Sequence, residues 1–387
     1  MKFFQKKPSE KPANIAIQTA REIDSGTNVF EFSSERVSSE GRLYDGLRNA
    51  VPIIDAAIGK IIRLTGGFRL VCADKNVQTE LDNFAKNVKV GLSGRTLNSF
   101  IDSYLDSLLT YGNAVGEILI DNETKQVAGL YNGDVKDIEV RAGASPIDAE
   151  YFVKGANGKP IKLNNPNLIL FSALNPPPNQ PYGKSVLSGL PYISAILMRI
   201  YECIGQNFDR VGNVRYAVTY KPQDSGDMGF AKDRAEQIAK EWSDGMQASK
   251  SGQIRDFVAV GDVGIKVIGA ENQIIDTNIP VKQLLEQIIA KLSIPPFLLG
   301  LSWSTTERMS GQQADILTSE LQYYRRLLNP VILQIAEAYL RLLGSTSEVE
   351  VIWDAINLQD EVEDAEARLK NAQAEEIEQR LNKNNIN

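Results

Sequence analysis

Ser293-Ile294-Pro295-Pro296-Phe297-Leu298-Leu299-Gly300 ends an amphipathic helical pattern and leads, through Leu301, into the polar run Ser302-Trp303-Ser304-Thr305-Thr306-Glu307-Arg308-Met309-Ser310-Gly311. Two successive prolines remove two amide donors and fix the backbone, so the helix before them must stop there. Beyond the polar run, Ser310-Gly311-Gln312-Gln313 reads as a capping box with Ser310 at the N-cap and Gln313 at N3. A long helix is expected from Gln312, with Ala314, Leu317, Leu321, Tyr324 and Leu328 facing one way. Pro330 is expected to kink or break that helix before it resumes through Val331, Ile335, Tyr339 and Leu342. A stiff helix, a hard stop, a loop and a second stiff helix form a lever pair carrying a loop, an arrangement suited to mechanical or gating work.

Upstream of the prolines, Val281, Leu284, Leu285, Ile288, Ile289 and Leu292 share one helical face, while Lys282, Gln283, Glu286, Gln287 and Lys291 share the other. A matching rod starts at Pro191 and carries Ile193, Ile196, Leu197, Ile200, Tyr201, Ile204, Phe208 and Val211 on one face. Its roughly 20 residues give about 30 Å of rod. Between the rods lies a small α+β insert. Val214, Tyr216, Val218 and Tyr220 alternate as a strand, Ala231 to Trp242 mark a short helix, and 257–260 and 265–268 are two further strands. Two apolar-faced rods around an insert read as a stalk with a knob, and a helix pair packed inside one globule fits the pattern equally well.

The rest of the chain supplies a first domain. Residues 1–40 are polar and weakly patterned, either a functional flexible arm or a plain terminus. Helices are expected over 44–64 and 95–111. Short strands punctuated by turn residues follow at 114–120, 127–131, 138–141, 149–154 and 168–171, reading as a β-meander. Asn175-Pro176-Pro177-Pro178-Asn179-Gln180-Pro181 is a stiff extended loop that closes this domain. Residues 348–353 form a strand, and 359–380 carry a charged helical pattern.

Composition narrows the chemistry. A chain of 387 residues without a single histidine has neither His-based acid–base catalysis nor His-metal chemistry. Cys72 and Cys203 have no C-x-x-C partner and read as small buried apolar residues in a reducing compartment. No apolar run reaches the ~20 residues of a membrane span, so the chain reads as a soluble cytoplasmic protein. Gly183-Lys184-Ser185 looks like the end of a phosphate-binding loop, but Pro178 stands where that motif needs glycine. Asp224-Ser225-Gly226-Asp227 lacks the later carboxylate of a calcium loop and reads as a solvated turn. No cofactor, metal or catalytic constellation is expected. A net charge of −7 argues against tight non-specific gripping of DNA, yet suits a surface past which DNA must slide.

Three short patterns, in order, resemble the portal proteins of tailed bacteriophages, in particular the shorter portals of long-tailed phages. Tyr111-Gly112-Asn113-Ala114 is similar to a turn into the wing strands. Tyr182-Gly183-Lys184-Ser185-Val186-Leu187 is similar to the lead into the first stem helix, and Ile294-Pro295-Pro296-Phe297-Leu298-Leu299-Gly300 to the signature after the second. The resemblance implies an α+β protomer: a wing over 41–186, stem helices over 187–212 and 278–294, and a clip over 213–277. It further implies a tunnel loop over 301–311, a kinked wing helix and strand over 312–357 and a short crown over 358–387. It also implies a homo-oligomeric, dodecameric ring at one capsid vertex of the virion. Partners would be the terminase large subunit, the major capsid and scaffolding proteins, a head-completion protein and double-stranded DNA in transit. On that reading Ser302, Trp303, Ser304, Thr305, Thr306, Glu307 and Arg308 face DNA in the tunnel loop. Lys282, Gln283, Glu286 and Lys291 form the stem's channel face, and Val214, Tyr216, Val218 and Tyr220 the docking strand of the clip. Two other classes stay open: a nucleotide-driven motor enzyme, and a non-viral oligomeric scaffold of similar fold.

Overall fold

The computed structural model describes residues 34–358, apart from 146–147, 156–157, 179, 213–214, 222–230, 251–261, 269–275, 302–306 and 357. The chain divides into two compact units, residues 195–284 and the remainder. Most of the arm expected over 1–40, the turn at Asp224–Asp227, the strand over 257–260 and nearly all of the expected crown lie outside the described residues.

The larger unit opens with helix α1 (Ser34–Ala50), so the last residues of the expected arm are helical. A single helix over 44–64 does not form. Pro52 cannot donate to the carbonyl a turn earlier, so it starts a new helix, α2 (Pro52–Thr65), from an extended Val51. Strand β1 (Phe68–Cys72) and helix α3 (Lys75–Asn87) follow, with the Asp74 carboxylate accepting from the amide of Asn76 at 2.8 Å as an N-cap. Helix α4 (Leu97–Tyr111) is the centre of the core, burying Leu97, Phe100, Ile101, Tyr104, Leu105, Leu108 and Leu109. Its i, i+3, i+4 apolar spacing exceeds one stripe, which is why it lies inside rather than on the surface.

The strands expected as one meander divide between two sheets. In the first, β3 (Gly94–Arg95), β2 (Lys89–Val90), β5 (Val127–Gly133), β4 (Asn113–Ile120) and β9 (Ile169–Ala173) lie in that order. The β2–β5 pair is parallel and the others antiparallel. In the second, β7 (Ala149–Lys154) runs between β6 (Ile138–Ala142) and β8 (Pro160–Lys162). Val115, Val135, Ile138, Val140, Val153, Leu163 and Ile169 form one buried cluster that joins the two sheets.

Helix α8 (Glu307–Leu342) crosses this unit, and strand β12 (Val349–Trp353) returns to pair antiparallel with β1, some 280 residues earlier in the chain. The helix starts five residues before the expected Gln312, so Ser310 lies inside it and is not its N-cap. Pro330 does not end it either. The missing donor costs about 3 kcal/mol, but Leu328, Val331, Ile332, Ile335 and Ala336 around it are buried, each large side chain contributing about 1.5–3 kcal/mol. The Arg325 guanidinium donates to the Thr65 carbonyl at 2.5 and 2.8 Å, capping the end of α2, and stands 5.0 Å above the Trp353 ring. One turn on, Asn329 Oδ1 accepts from Trp353 Nε1 at 2.7 Å. Helix α8 is thereby tied to both α2 and the β1–β12 pair.

The smaller unit contains the end of helix α5 (Leu190–Gly212), a hairpin of β10 (Arg215–Lys221) with β11 (Asp262–Ile268), helix α6 (Ala231–Lys250) and the start of helix α7 (Asn278–Leu292). Cys203, expected to be buried, is exposed on α5, whereas Cys72 is buried in β1.

Candidate functional site

Two of the three signature turns meet in space and are woven together. Helix α4 ends on Gly112 in the left-handed conformation, φ 77°. The chain then enters β4, and some 70 residues later the second signature passes directly over the first. The Gly183 amide donates to Asn113 Oδ1 at 2.8 Å. The Leu174 amide donates to the Gly112 carbonyl at 2.8 Å, and the Lys184 amide to the Leu174 carbonyl at 2.7 Å. Buried Ser185 donates to the Thr110 carbonyl at 2.6 Å and accepts from the Leu187 amide at 2.9 Å, and the Val186 amide reaches the Leu109 carbonyl at 3.2 Å. A Cβ on Gly112 would stand 2.5 Å from the backbone of Lys184 and Ser185, and one on Gly183 would overlap the backbone of Leu174 and Gly112. Both glycines are required because backbone lies on backbone. The Gly183 and Lys184 amides, which a phosphate loop would present to a ligand, are bonded to protein acceptors here, so Gly183-Lys184-Ser185 is no phosphate site. This knot fixes the chain three residues before α5 begins.

Helix α1 is stapled beside the knot. The Tyr111 hydroxyl donates to Asp45 at 2.5 Å and Lys136 Nζ to the other carboxylate oxygen at 2.9 Å, with Asp134 3.4 Å from the same ammonium. Burial by itself would raise the Asp45 carboxyl, but these two hydrogen bonds and the charges of Lys136 and Arg48 hold it below its ordinary value. Burial and the adjacent carboxylate push the Tyr111 hydroxyl up to about 12. Arg48 reaches Asp55, Asp106 and Thr110 within 2.6–2.8 Å, binding α1 to α2 and α4.

The third signature forms a 3-10 turn, Pro296–Leu299, closed by Gly300 at φ 74°. Ile294 and Pro295 are buried, and the Gly300 and Leu301 amides donate back to Phe297 and Pro296 at 3.1 Å. The double proline thus stops α7 and redirects the chain. Of the seven expected tunnel-loop residues, Ser302, Trp303, Ser304, Thr305 and Thr306 lie outside the described residues, while Glu307 and Arg308 belong to the first turn of α8. The connection is therefore shorter than expected. The sequence signal against the 310 cap was Glu307 itself, since acidic residues favour the positive end of a helix.

Lys282, Gln283, Glu286 and Lys291 are all exposed on α7, opposite Ile288, Ile289 and Leu292, which are buried. In the smaller unit Tyr216, Val218 and Tyr220 occupy alternate positions of β10, opposite Val267, Ile265 and Val263. Val214 lies outside the described residues. The β10–β11 sheet has two strands, so among the described residues β10 keeps one edge without a strand neighbour. A cleft of about 360 Å³ in this unit is lined by Tyr201, Ile204 and Phe208 from α5 and by Asp276, Asn278 and Val281 at the start of α7. Among the described residues no cluster of Cys, Asp and Glu has the makings of a metal site, and no helix is long and apolar enough to cross a membrane.

Comparison with solved structures finds likenesses of the whole fold. A chain in the virion of a native gene transfer agent particle is similar at TM-score 0.57 and 16% identity, over 89% of each chain. A chain in the neck of the native gene transfer agent particle, computed with C12 symmetry, is similar at 0.55 and 17%, over 83% of this chain and 88% of that one. An HK97 family phage portal protein from Corynebacterium diphtheriae gives 0.41 and 13%, over 79% and 93%. The first two show a shared fold. A search of curated protein sequences finds no match. The phage portal protein family model matches residues 93–378, which takes in all three signatures and both rods. That family is structural rather than catalytic, which sets aside the motor-enzyme reading. With an α+β protomer and a family match over most of its length, the chain belongs to the phage portal protein family.

Proposed function

We propose that copies of this chain close into a ring at a single vertex of a phage-type capsid and form the conduit through which double-stranded DNA enters and leaves. The family match over residues 93–378 carries the reading, and the fold likeness to a chain in a particle neck computed with C12 symmetry supports twelve copies. The physics agrees. The net charge of −7 argues against tight non-specific gripping of DNA by the chain as a whole, and helices with one apolar face need neighbours to cover it.

Within such a ring the exposed face of α7, with Lys282, Gln283, Glu286 and Lys291, borders the channel, and the connection over 301–306 forms a collar of small hydroxyl side chains. The segment over 213–277 is the docking end, for the terminase large subunit during packaging and for a head-completion protein afterwards. The wing meets the major capsid and scaffolding proteins. The open edge of β10 suits strand addition from a partner. Electron microscopy of the purified protein is the test, and closed rings with a central hole are expected. Monomers alone, by native mass spectrometry across protein and salt concentrations, would overturn the reading. Replacing 302–306 with a Gly-Ser link should leave rings intact and reduce the packaged or retained DNA. Full-length packaging in that variant would reduce the collar to a connector.

A further inference from the structure

An edge strand presents a row of unpaired amides and carbonyls to any chain that can pair with it, so folded proteins blunt their edges. The three sheets of the larger unit end on β1, β12, β3, β9, β6 and β8. All but β12 carry a blunting group. On β1 the Asn98 side-chain amide takes both polar groups of Phe68, accepting from its N–H at 3.1 Å and donating to its carbonyl at 3.4 Å. Gln78 continues the row, donating to the Leu70 carbonyl at 2.9 Å and accepting from the Cys72 N–H at 2.7 Å. Two side-chain amides thus stand where a third strand would lie. On β3 the Ser99 hydroxyl donates to the Arg95 carbonyl at 2.6 Å, on β6 the Tyr182 hydroxyl accepts from the Val140 amide at 2.8 Å, and on β9 Gln334 donates to the Ile169 carbonyl at 3.4 Å. Strand β8 begins with Pro160, which has no amide to offer.

Strand β12 differs. The Asp354 amide donates to the Gly67 carbonyl at 2.9 Å, which sets the phase of the β1–β12 ladder. Bonded and non-bonded pairs alternate along it, so Val349, Val351 and Trp353 turn their backbone groups away from β1. Among the described residues nothing is hydrogen-bonded to those groups. The strand itself, Val349-Glu350-Val351-Ile352-Trp353, contains no proline, lysine or glycine to blunt it. Val349, Val351 and Trp353 share a face with Cys72, Leu70 and Phe68, which are buried, while Glu350 lies on the other face and is exposed.

We propose that the outer edge of β12 docks an extended segment of another protein in which apolar residues alternate with lysine or arginine. The two faces dictate the alternation. Residues opposite Val349, Val351 and Trp353 fall on the buried face and are apolar. Their neighbours fall beside Glu350 on the exposed face, where an opposite charge stabilises a cross-strand pair and a like charge opposes it. Glu348 and Asp354, both exposed, flank the strand and extend the preference for cations. The same charges disfavour a second copy of β12 as the partner, since two paired edges would bring their glutamates onto one face. Backbone bonds supply affinity in such a complex and the alternating side chains fix its register. The proposal concerns the edge of a single chain and does not depend on the ring.

Fluorescence anisotropy of the full-length protein with a labelled Lys-Val-Lys-Val-Lys-Val-Lys peptide tests it. Saturable binding is expected, at least tenfold tighter than for the peptide with glutamate in place of lysine. N-methylating the valines removes the donors that face β12 without changing the charge, and should weaken binding at least tenfold, whereas N-methylating the inner lysines should not. Val351→Pro deletes one outward amide of β12 and leaves the ladder pairs Arg69–Ile352 and Val71–Glu350 intact, so it should weaken the lysine peptide at least tenfold. Glu350→Lys, an exposed change that keeps the backbone, should reverse the preference between the lysine and glutamate peptides. Equal affinity for the two methylated peptides would reduce the binding to bulk charge and overturn the proposal. So would the absence of saturable binding, or binding that neither variant alters. Self-association lost in Val351→Pro, with no peptide binding, would assign the edge to a second copy and overturn it too.

Discussion

The two units of this chain hold themselves together in opposite ways. In the larger one, bonds cross long stretches of sequence: Ser185 to Thr110, Arg325 to Thr65, Asp45 to Lys136. In residues 195–284 side-chain bonds such as those from Gln206 to Glu202 and from Gln237 to Glu241 are local. Where side-chain burial is described there, Leu197 is the one buried hydrophobic residue, while Phe208 is 60% and Ile279 65% exposed. A surface of that kind on a stable protein is one that another molecule covers. On the proposed ring, the larger unit keeps its shape alone and the smaller is completed by assembly.

The sharpest test of that contrast is a pair of glycine substitutions. Gly183→Ala places a methyl on the backbone of Leu174 and Gly112, and is expected to cost on the order of 3 kcal/mol or more, seen as lost soluble yield or a large drop in the unfolding midpoint. Gly205→Ala, on α5 with open space around it, should be neutral or stabilising by up to about 1 kcal/mol. Similar stabilities for the two variants would mean that the knot is pliable.

Next comes the exposed apolar face. Phe208→Asp with Ile279→Asp is expected to leave the circular dichroism spectrum and the stability of the isolated chain within about 0.5 kcal/mol of wild type, as for surface changes. The same variant should abolish rings in native mass spectrometry. Intact rings would show that this face is not the one that assembly covers.

A third variant probes how the larger unit is fastened. Arg325→Met removes two bonds to the Thr65 carbonyl and the contact with Trp353, and should destabilise by about 2 kcal/mol, read by denaturant unfolding. A change below 0.5 kcal/mol on the surface-substitution scale would place the strength of the α2–α8 junction in its apolar contacts alone.

What could be read from sequence follows the same division. Helices with a strong 3.6-residue period, such as α4, α5 and α7, and the strands β4, β5, β6, β7 and β9 are legible because their signal is local, whereas the three-residue β8 is too short to announce itself. The β1–β12 pair is not, since neither five-residue strand announces a partner about 280 residues away. Helix α3 was readable but passed over, since Val77, Leu81 and Phe84 stand at i, i+4 and i+7 behind the Asp74 cap. Pro52 was a readable break passed over in favour of the apolar period across it. The three signature turns were visible as motifs, but not the reason for two of them: only in space does Asn113 meet Gly183. The start of α8 was misplaced because Gly311 looked like a boundary, whereas a glycine inside a long, well-packed helix costs only about 1 kcal/mol.

The smallest effect expected lies at α1, where charge rather than packing does the fastening. Asp45 accepts from Tyr111 and Lys136, and its carboxyl is held below its ordinary value. The sign follows from linkage. A depressed carboxylate adds stability that is present above its unfolded pKa of about 3.9 and is lost as pH falls through the folded value. Lys136 and Tyr111, both raised, add stability that is present below their unfolded values near 10 and is lost as pH rises beyond them. Between roughly pH 5 and 9 the staple is therefore complete. Asp45→Asn should cost about 1 kcal/mol at pH 7, because the site is partly exposed and solvent screens it. The deficit relative to wild type should shrink as pH falls below about 4, where wild type also loses its carboxylate. Hydrogen exchange of the α1 amides at pH 7, set beside chemical unfolding at pH 7 and pH 3, reads both effects. An equal deficit at the two pH values would mean that α1 is held by Tyr44 and Leu47, its buried apolar residues, and that the larger unit is fastened by packing even at its edge.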